Sequence, residues 1–186
     1  KSWTQSNITS GDFKSVYYGN GIWFAGGINL GIYYSIDGKT WTQSNITSGI
    51  FRYAYYANGL FIFDGYYSLD GKSWTKSNIT DFECVYYANG IWVAGGYNKG
   101  LYYSTDGKSW TQSNITSDDF VCIYYANGIW VASSDDYIGG ALYYSTSGKI
   151  WTKSNVTSST QIQCIYYANG IWVAGNGGIG GYGLYY

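Results

Sequence analysis

The side chains on which catalysis and metal binding usually depend are scarce in this sequence. Among 186 residues there is no His, Arg52 is the single Arg, and Glu83 is the single Glu. Glycoside hydrolysis by paired carboxylates needs a second acid beside Glu83, while triad chemistry and zinc sites usually need His. We therefore expect no catalytic residue, no metal, no cofactor, and a protein that is not an enzyme.

The residues best suited to ligand recognition lie in segments 26–31, 64–65, 95–100, 133–141 and 175–183. Of the 24 Tyr, four fall outside the recurring Y-Y pairs, and three of these four lie in those segments. A Tyr ring on a loop offers a large contact area at low entropic cost together with a polar tip. The candidate ligand-binding residues are Asn29, Asp64, Tyr97, Asn98, Lys99, Asp135, Asp136, Tyr137, Asn176 and Tyr182. The alternative is that these are merely variable loops.

These segments interrupt a repeat that occurs five times. The sequence W-T-Q/K-S-N-I/V-T begins at Trp3, Trp41, Trp74, Trp110 and Trp151. Each copy predicts four short strands, which in the third copy are 83–87, 91–95, 100–104 and 109–113. An Asn-Gly pair between apolar runs predicts a tight hairpin between the first two strands. Its Asn residues are Asn20, Asn58, Asn89, Asn127 and Asn169.

A second invariant turn, S-x-D-G-K-x-W, separates the third and fourth strands. Its Asp residues are Asp37, Asp70 and Asp106, and Ser147 replaces Asp in the fourth copy. Ser and Asp side chains accept hydrogen bonds from turn N–H groups, so we expect a structural role. The motif resembles the Asp-box, or BNR-like, repeat of sialidases and related lectin-like propellers of bacterial and phage surface proteins. Sialidases hold their substrate with three Arg, and this chain has one.

The repeats predict an all-β fold, a five-bladed β-propeller formed by residues 1–186 as a single domain, with a solenoid as the alternative. The chain starts with a fourth strand and ends with a third. We therefore expect residues 2–6 to pair beside residues 183–186, which would close the ring in a monomer. The two invariant turns would then share one end of the propeller, and the variable segments would share the opposite end.

The remaining features exclude some partners. A formal net charge of −1 without a basic stripe argues against nucleic acid, and no apolar run is long enough to insert into a membrane. Because Cys84, Cys122 and Cys164 share one repeat position, we expect free, buried thiols. The N-x-T sequences at Asn7, Asn45, Asn78, Asn114 and Asn155 predict local turn bonds rather than five glycans.

The predicted function is non-catalytic binding of a carbohydrate or another cell-surface ligand through the variable loops. This function predicts an extracellular location, or one on the surface of a cell or virion. The alternative is a structural or protein-interaction propeller in a larger surface or fibre protein. A repeated lectin predicts similar pockets in several repeats, whereas a protein-binding face predicts one contiguous patch.

Overall fold

The structure is a computed structural model that describes residues 2–136, 139–158, 161–177 and 183–186, with the backbone alone at 136 and 157. The described residues form nineteen strands and divide into two compact units, Lys1–Thr80 and Asp81–Tyr186. They contain no helix long and apolar enough to cross a membrane. The all-β class is confirmed, and the prediction of a single domain stays a prediction.

The first unit contains two antiparallel sheets, each with its strands in chain order. Sheet 1 consists of β1 (Asp12–Gly19), β2 (Ile22–Ile28), β3 (Tyr33–Ser35) and β4 (Thr42–Gln43). Sheet 2 consists of β5 (Ala54–Ala57), β6 (Leu60–Phe63), β7 (Tyr66–Ser68) and β8 (Thr75–Lys76).

The second unit contains three such sheets. Sheet 3 consists of β9 (Phe82–Ala88), β10 (Ile91–Gly96), β11 (Gly100–Ser104) and β12 (Thr111–Gln112). Sheet 4 consists of β13 (Phe120–Ala126), β14 (Ile129–Asp136), β15 (Gly139–Ser145) and β16 (Thr152–Thr157). Sheet 5 has three described strands, β17 (Gln161–Ala168), β18 (Ile171–Gly177) and β19 (Gly183–Tyr185).

The Asn-Gly turns give every sheet its first hairpin. Asn89 and Gly90 have φ values of 50° and 75°, and the other four pairs are similar. Positive φ at both central residues matches the twist of the strands on either side, and Asn and Gly are the residues that adopt it most readily. The register is consequently the same throughout, with Ile91 opposite Ala88 in sheet 3 as one example.

Aromatic side chains fill the space between sheets within each unit. In the first unit, Phe24 of sheet 1 meets Phe61 of sheet 2 edge to face, with ring centroids 5.2 Å apart. In the second unit, the largest cluster joins sheets 3 and 4 through Val93, Phe120 and Trp130, which are all fully buried. Gly95 allows this close packing, because a Cβ atom there would lie 2.4 Å from the Cβ of Phe120.

Three details differ from the sequence-based expectations or remain open. The fourth strands of sheets 1 to 3 are two residues long, shorter than the predicted 109–113, because each forms two ladder pairs. In sheet 3 the backbone of Leu101 still bonds to Ser113 and Ile115 beyond them. The cysteines are free, but Cys122 is half-buried and Cys164 is exposed, so the prediction of buried thiols holds for Cys84 alone. Residues 2–6 form no strand, and their pairing with 183–186 stays a prediction.

Candidate functional site

In the S-x-D-G-K turns, the Ser and Asp side chains form hydrogen bonds within the turn itself. In sheet 2, one Asp70 oxygen accepts hydrogen bonds from the N–H groups of Lys72 (2.9 Å) and Ser73 (2.8 Å) and from the Ser68 hydroxyl (2.9 Å). The bond from the Ser73 N–H is the main cause that lowers the pKa of Asp70. The same arrangement, led by the bond from the Thr40 N–H, lowers the pKa of Asp37 to about 2. These carboxylates stabilise a turn.

The N-x-T asparagines join one repeat to the next within each unit. Asn45 donates from Nδ2 to the Trp74 carbonyl (2.8 Å) and accepts from the Trp74 N–H (2.8 Å). Asn114 holds Trp151 in the same way, and Asn7 holds Trp41. We call this paired bond the Asn clasp. The expected local turn bond is therefore not what these side chains form, because their partners are 29 to 37 residues away.

The loop between β10 and β11 presents three candidate residues together. Tyr97 is 49% exposed, and Asn98, at φ 52°, donates its N–H to an Asp119 carboxylate oxygen at 2.5 Å. The Lys99 ammonium forms an ion pair with Asp81 at 2.9 Å. The loop backbone is thus held by Asp119, the Lys99 side chain is paired with Asp81, and Tyr97 is about half exposed.

The residues that hold this loop lie in the connection between sheets 3 and 4, and the sequence did not single them out as candidates. Asp119 is 7% exposed, and its carbonyl accepts the N–H of Asp135 at 2.6 Å. Asp118, at φ 82°, accepts the hydroxyl of Tyr143. A signal was available, because these two acidic residues stand where the first copy has Gly11 and Asp12 and the second has a Gly followed by Ile. We call residues 97–99, Asp81, 118–119 and Asp135 the loop patch.

The remaining candidates are not residues of the loop patch, and two of them are outside the described part of the chain. In the first unit, Asn29 is exposed at φ 55°, whereas Asp64 is buried and accepts the backbone N–H groups of Arg52 and Tyr53. Asn176 donates to the Ser158 hydroxyl at 2.8 Å. The backbone of Asp136 pairs with Gly139 in the β14–β15 hairpin. Tyr137 and Tyr182 lie outside the described residues.

Two further groups share repeat positions along the first strands of the second unit. The rings of Tyr86, Tyr124 and Tyr166 lie in a row, with centroids 5.5 and 5.3 Å apart. The pKa values of Tyr86 and Tyr124 are raised, chiefly by desolvation and secondly by the charge interaction with the neighbouring Tyr166, so both phenols stay neutral. Burial likewise raises the pKa of the Cys84 thiol, which makes it a poor nucleophile.

The three cavities that the described residues bound do not include the candidate residues. Cavities of about 380, 190 and 250 Å³ are bounded by described residues, and none of the described candidate residues lines them. Nor do the described residues bring together three or more His, Cys, Asp or Glu side chains that could hold a metal ion. The loop patch offers the exposed ring of Tyr97, the Asn98 amide, the Lys99 ammonium and several carboxylates.

Repeated antiparallel meanders of this length are typical of β-propellers, and solved structures similar to this chain support that class. One is the computationally designed protein Ika8, with a TM-score of 0.66 at 11% identity. The match covers 88% of this chain and 55% of Ika8, so the chain spans little more than half of that protein. At this identity the likeness shows the fold alone. No protein-family model and no curated protein matches the chain.

Two carbohydrate-active enzymes also match. An endo-arabinase from Bacteroides thetaiotaomicron is 12% identical, covering 100% of this chain and 96% of the enzyme. An exo-1,5-alpha-L-arabinanase from a bovine ruminal metagenomic library is 11% identical, covering 94% and 90%. The prediction that this chain is not an enzyme is contradicted by these matches and is withdrawn. Their TM-scores of 0.41 assign neither activity nor substrate to this chain.

Proposed function

We propose that this chain recognises a carbohydrate, or another ligand exposed on a cell surface, through the loop patch of its second unit. The observation that supports this proposal is the exposure of Tyr97 on a loop whose backbone is held by Asp119 and whose Lys99 side chain is paired with Asp81. A loop whose backbone is held before binding loses little freedom on contact with a ligand. This function suits an extracellular location or a cell or virion surface.

The chemistry of the loop patch fits a sugar. The apolar face of a pyranose would stack on the Tyr97 ring, and its hydroxyl groups would bond to the exposed Asn98 side chain and to nearby carboxylates. Such a contact resembles other aromatic pairs, which contribute about 0.5 to 1.5 kcal/mol beyond the area that they bury. A single site of this kind binds weakly, so measurable affinity needs several ligands or several copies of the protein on one surface.

A second candidate is a polypeptide partner, as in a structural or protein-interaction domain. The loop patch is contiguous within one unit, and the loops at the corresponding positions of the other repeats present different residues. Sheet 2, for example, replaces the Tyr97 loop with the two-residue turn Asp64-Gly65. A single patch without equivalents in the other repeats is the arrangement expected for a protein partner. A repeated lectin would instead present equivalent sugar sites in several repeats.

A glycan array separates the two candidates. The wild type, Tyr97→Ala and Tyr18→Ala are compared, because Tyr18 is 52% exposed on β1 and matches Tyr97 (49%) in accessibility. We expect glycan binding by the wild type and Tyr18→Ala and a loss of at least fivefold in Tyr97→Ala. Release of reducing ends from each bound glycan is measured alongside. Binding that is absent, or equal in all three proteins, would contradict the sugar proposal.

A further inference from the structure

Each Asn-Gly turn carries a side-chain amide that the described structure leaves unused. The five residues are Asn20, Asn58, Asn89, Asn127 and Asn169. Their side chains are exposed, and none has a hydrogen-bond partner among the described residues. Apart from its chain neighbours, each following Gly has no described atom within 4 Å of the position that a Cβ would take. These amides are therefore free to react with the adjacent backbone.

A free Asn amide beside Gly has a reaction open to it that needs only water. The backbone nitrogen of the Gly attacks Cγ of the Asn, the new N–Cγ bond closes a five-membered succinimide, and Nδ2 leaves as ammonia. Water then opens the ring at either carbonyl, which gives aspartate or isoaspartate. In sum, one amide and one water become one carboxylate and one ammonium ion. Gly favours the attack because it has no Cβ to crowd the ring.

The hairpin makes the attacking nitrogen available. In a two-residue hairpin the ladder ends on the residues that flank the loop, so the two central N–H groups form no ladder bond. In sheet 3 the last pair is Ala88 with Ile91, and Asn89 and Gly90 lie beyond it. Ring closure needs rotation about the Cα–C bond of Asn89, away from its φ of 50° and the turn conformation. Open space around Gly90 lets the tip make this movement without displacing another side chain.

A sixth Asn-Gly pair lacks these features. Asn176 and Gly177 lie in β18, where they pair with Ile162 and Gln161 of β17. Nδ2 of Asn176 donates a hydrogen bond to the Ser158 hydroxyl at 2.8 Å, and Oδ1 is buried. Because the amide is held and the backbone is paired, the same dipeptide reacts slowly at this position. The chain therefore contains its own internal comparison.

We propose that the Asn residues of the five turns are sites of spontaneous deamidation and that Asn176 is protected from it. Each event adds one negative charge to a formal net charge of −1. Aspartate preserves the turn, since Asp tolerates positive φ as Asn does. Isoaspartate does not, because it adds a carbon atom to the main chain of a loop whose length fixes the hairpin register. The residues that specify each hairpin are thus also those at which it is slowly damaged.

The test incubates the full chain at neutral and at mildly alkaline pH and follows each Asn by peptide mass spectrometry. We expect the five turn residues to convert at least fivefold faster than Asn176, and faster at the higher pH because the attacking nitrogen must lose its proton. Isoaspartate, counted by enzymatic methylation, should appear in the same five peptides. Anion exchange should resolve a series of species with successive added charges.

Two variants and an unfolded sample serve as controls. Asn127→Gly keeps a turn that adopts positive φ and should remove one step of the charge series. Ser158→Ala frees the Asn176 amide and should accelerate its conversion at least threefold. In urea, where no turn or ladder remains, all six sites should convert at similar rates.

The proposal is overturned if the turn residues of the folded protein convert no faster than Asn176. It is also overturned if the difference between the two groups persists in urea, since the flanking sequence would then be its cause. A Ser158→Ala protein in which Asn176 stays as slow as in the wild type would contradict its protection by that hydrogen bond. The wild-type comparison uses the unaltered chain, so a folding defect in a variant does not decide the result.

Discussion

The Asn clasp gives a prediction whose size follows from geometry. Asn45→Ala removes two hydrogen bonds of 2.8 Å each, one to the Trp74 carbonyl and one from its N–H. A hydrogen bond contributes about 0.5 to 1.5 kcal/mol net, so the pair contributes about 1 to 3 kcal/mol. Because Trp74 is 3% exposed and packs on Phe24, loosening its backbone also disturbs the aromatic core, which favours the upper half of this range.

The assay is urea unfolding followed by Trp fluorescence, with Asn155→Ala as the matched control. Asn155 has the same repeat position but no clasp among the described residues, so its replacement should change the free energy of unfolding by less than about 0.5 kcal/mol in dilute solution. The loss in the free energy of unfolding for Asn7→Ala should lie between those of the other two variants, at about 1 kcal/mol, because its clasp to Trp41 is exposed. Equal losses in Asn45→Ala and Asn155→Ala would refute the clasp.

Three further predictions concern packing, acid and thiols. Gly95→Ala should destabilise the second unit by about 1 to 3 kcal/mol, because its Cβ would overlap a buried Phe. Gly177→Ala, whose Cβ would have no described atom nearer than 3.5 Å, should cost under about 1 kcal/mol in the same unfolding assay. The pKa of Asp37 is about 2 in the folded state against 3.8 for the free group, so its contribution to stability is present above about pH 4 and is lost as the pH falls towards 2. Replacing this residue and its two counterparts with the Ser of the fourth copy should flatten acid unfolding in that window, and an unchanged acid transition would contradict the assigned bonds. Cys164 should react with a thiol reagent at least tenfold faster than the buried Cys84, and equal rates in the native protein would contradict their placement.

Much of the fold was predictable because the repeat carries its own local signals. Asn89-Gly90 specifies a tight hairpin wherever it occurs, and the Asp70 turn satisfies its hydrogen bonds within six residues. Both depend on neighbours in sequence, so the sequence suffices to place them. Tyr97 was recognisable for the opposite reason, since it interrupts the repeat at a position where no strand pairing fixes the residue type.

The remaining features depend on residues far apart in the chain. Asn45 looked like a local turn residue because N-x-T gives no hint that its partner is the backbone of Trp74. Asp119 escaped notice because its role depends on meeting the Asn98 N–H across 21 residues. Cys164 was expected to be buried like Cys84, yet Cys84 is covered by Phe120 of sheet 4, a contact that the repeat position does not specify, and the Cys164 thiol is exposed.

The most direct test of the functional proposal is a two-dimensional NMR titration with the strongest glycan from the array. The titration follows the Asp turns and the loop patch in one experiment, because the backbone amides of the two regions give separate signals. Shifts concentrated at residues 97–99, 118–119 and 135 are the result that we expect. Shifts confined to the turns at 35–40 and 68–73 would place binding at the invariant end and would contradict the proposal.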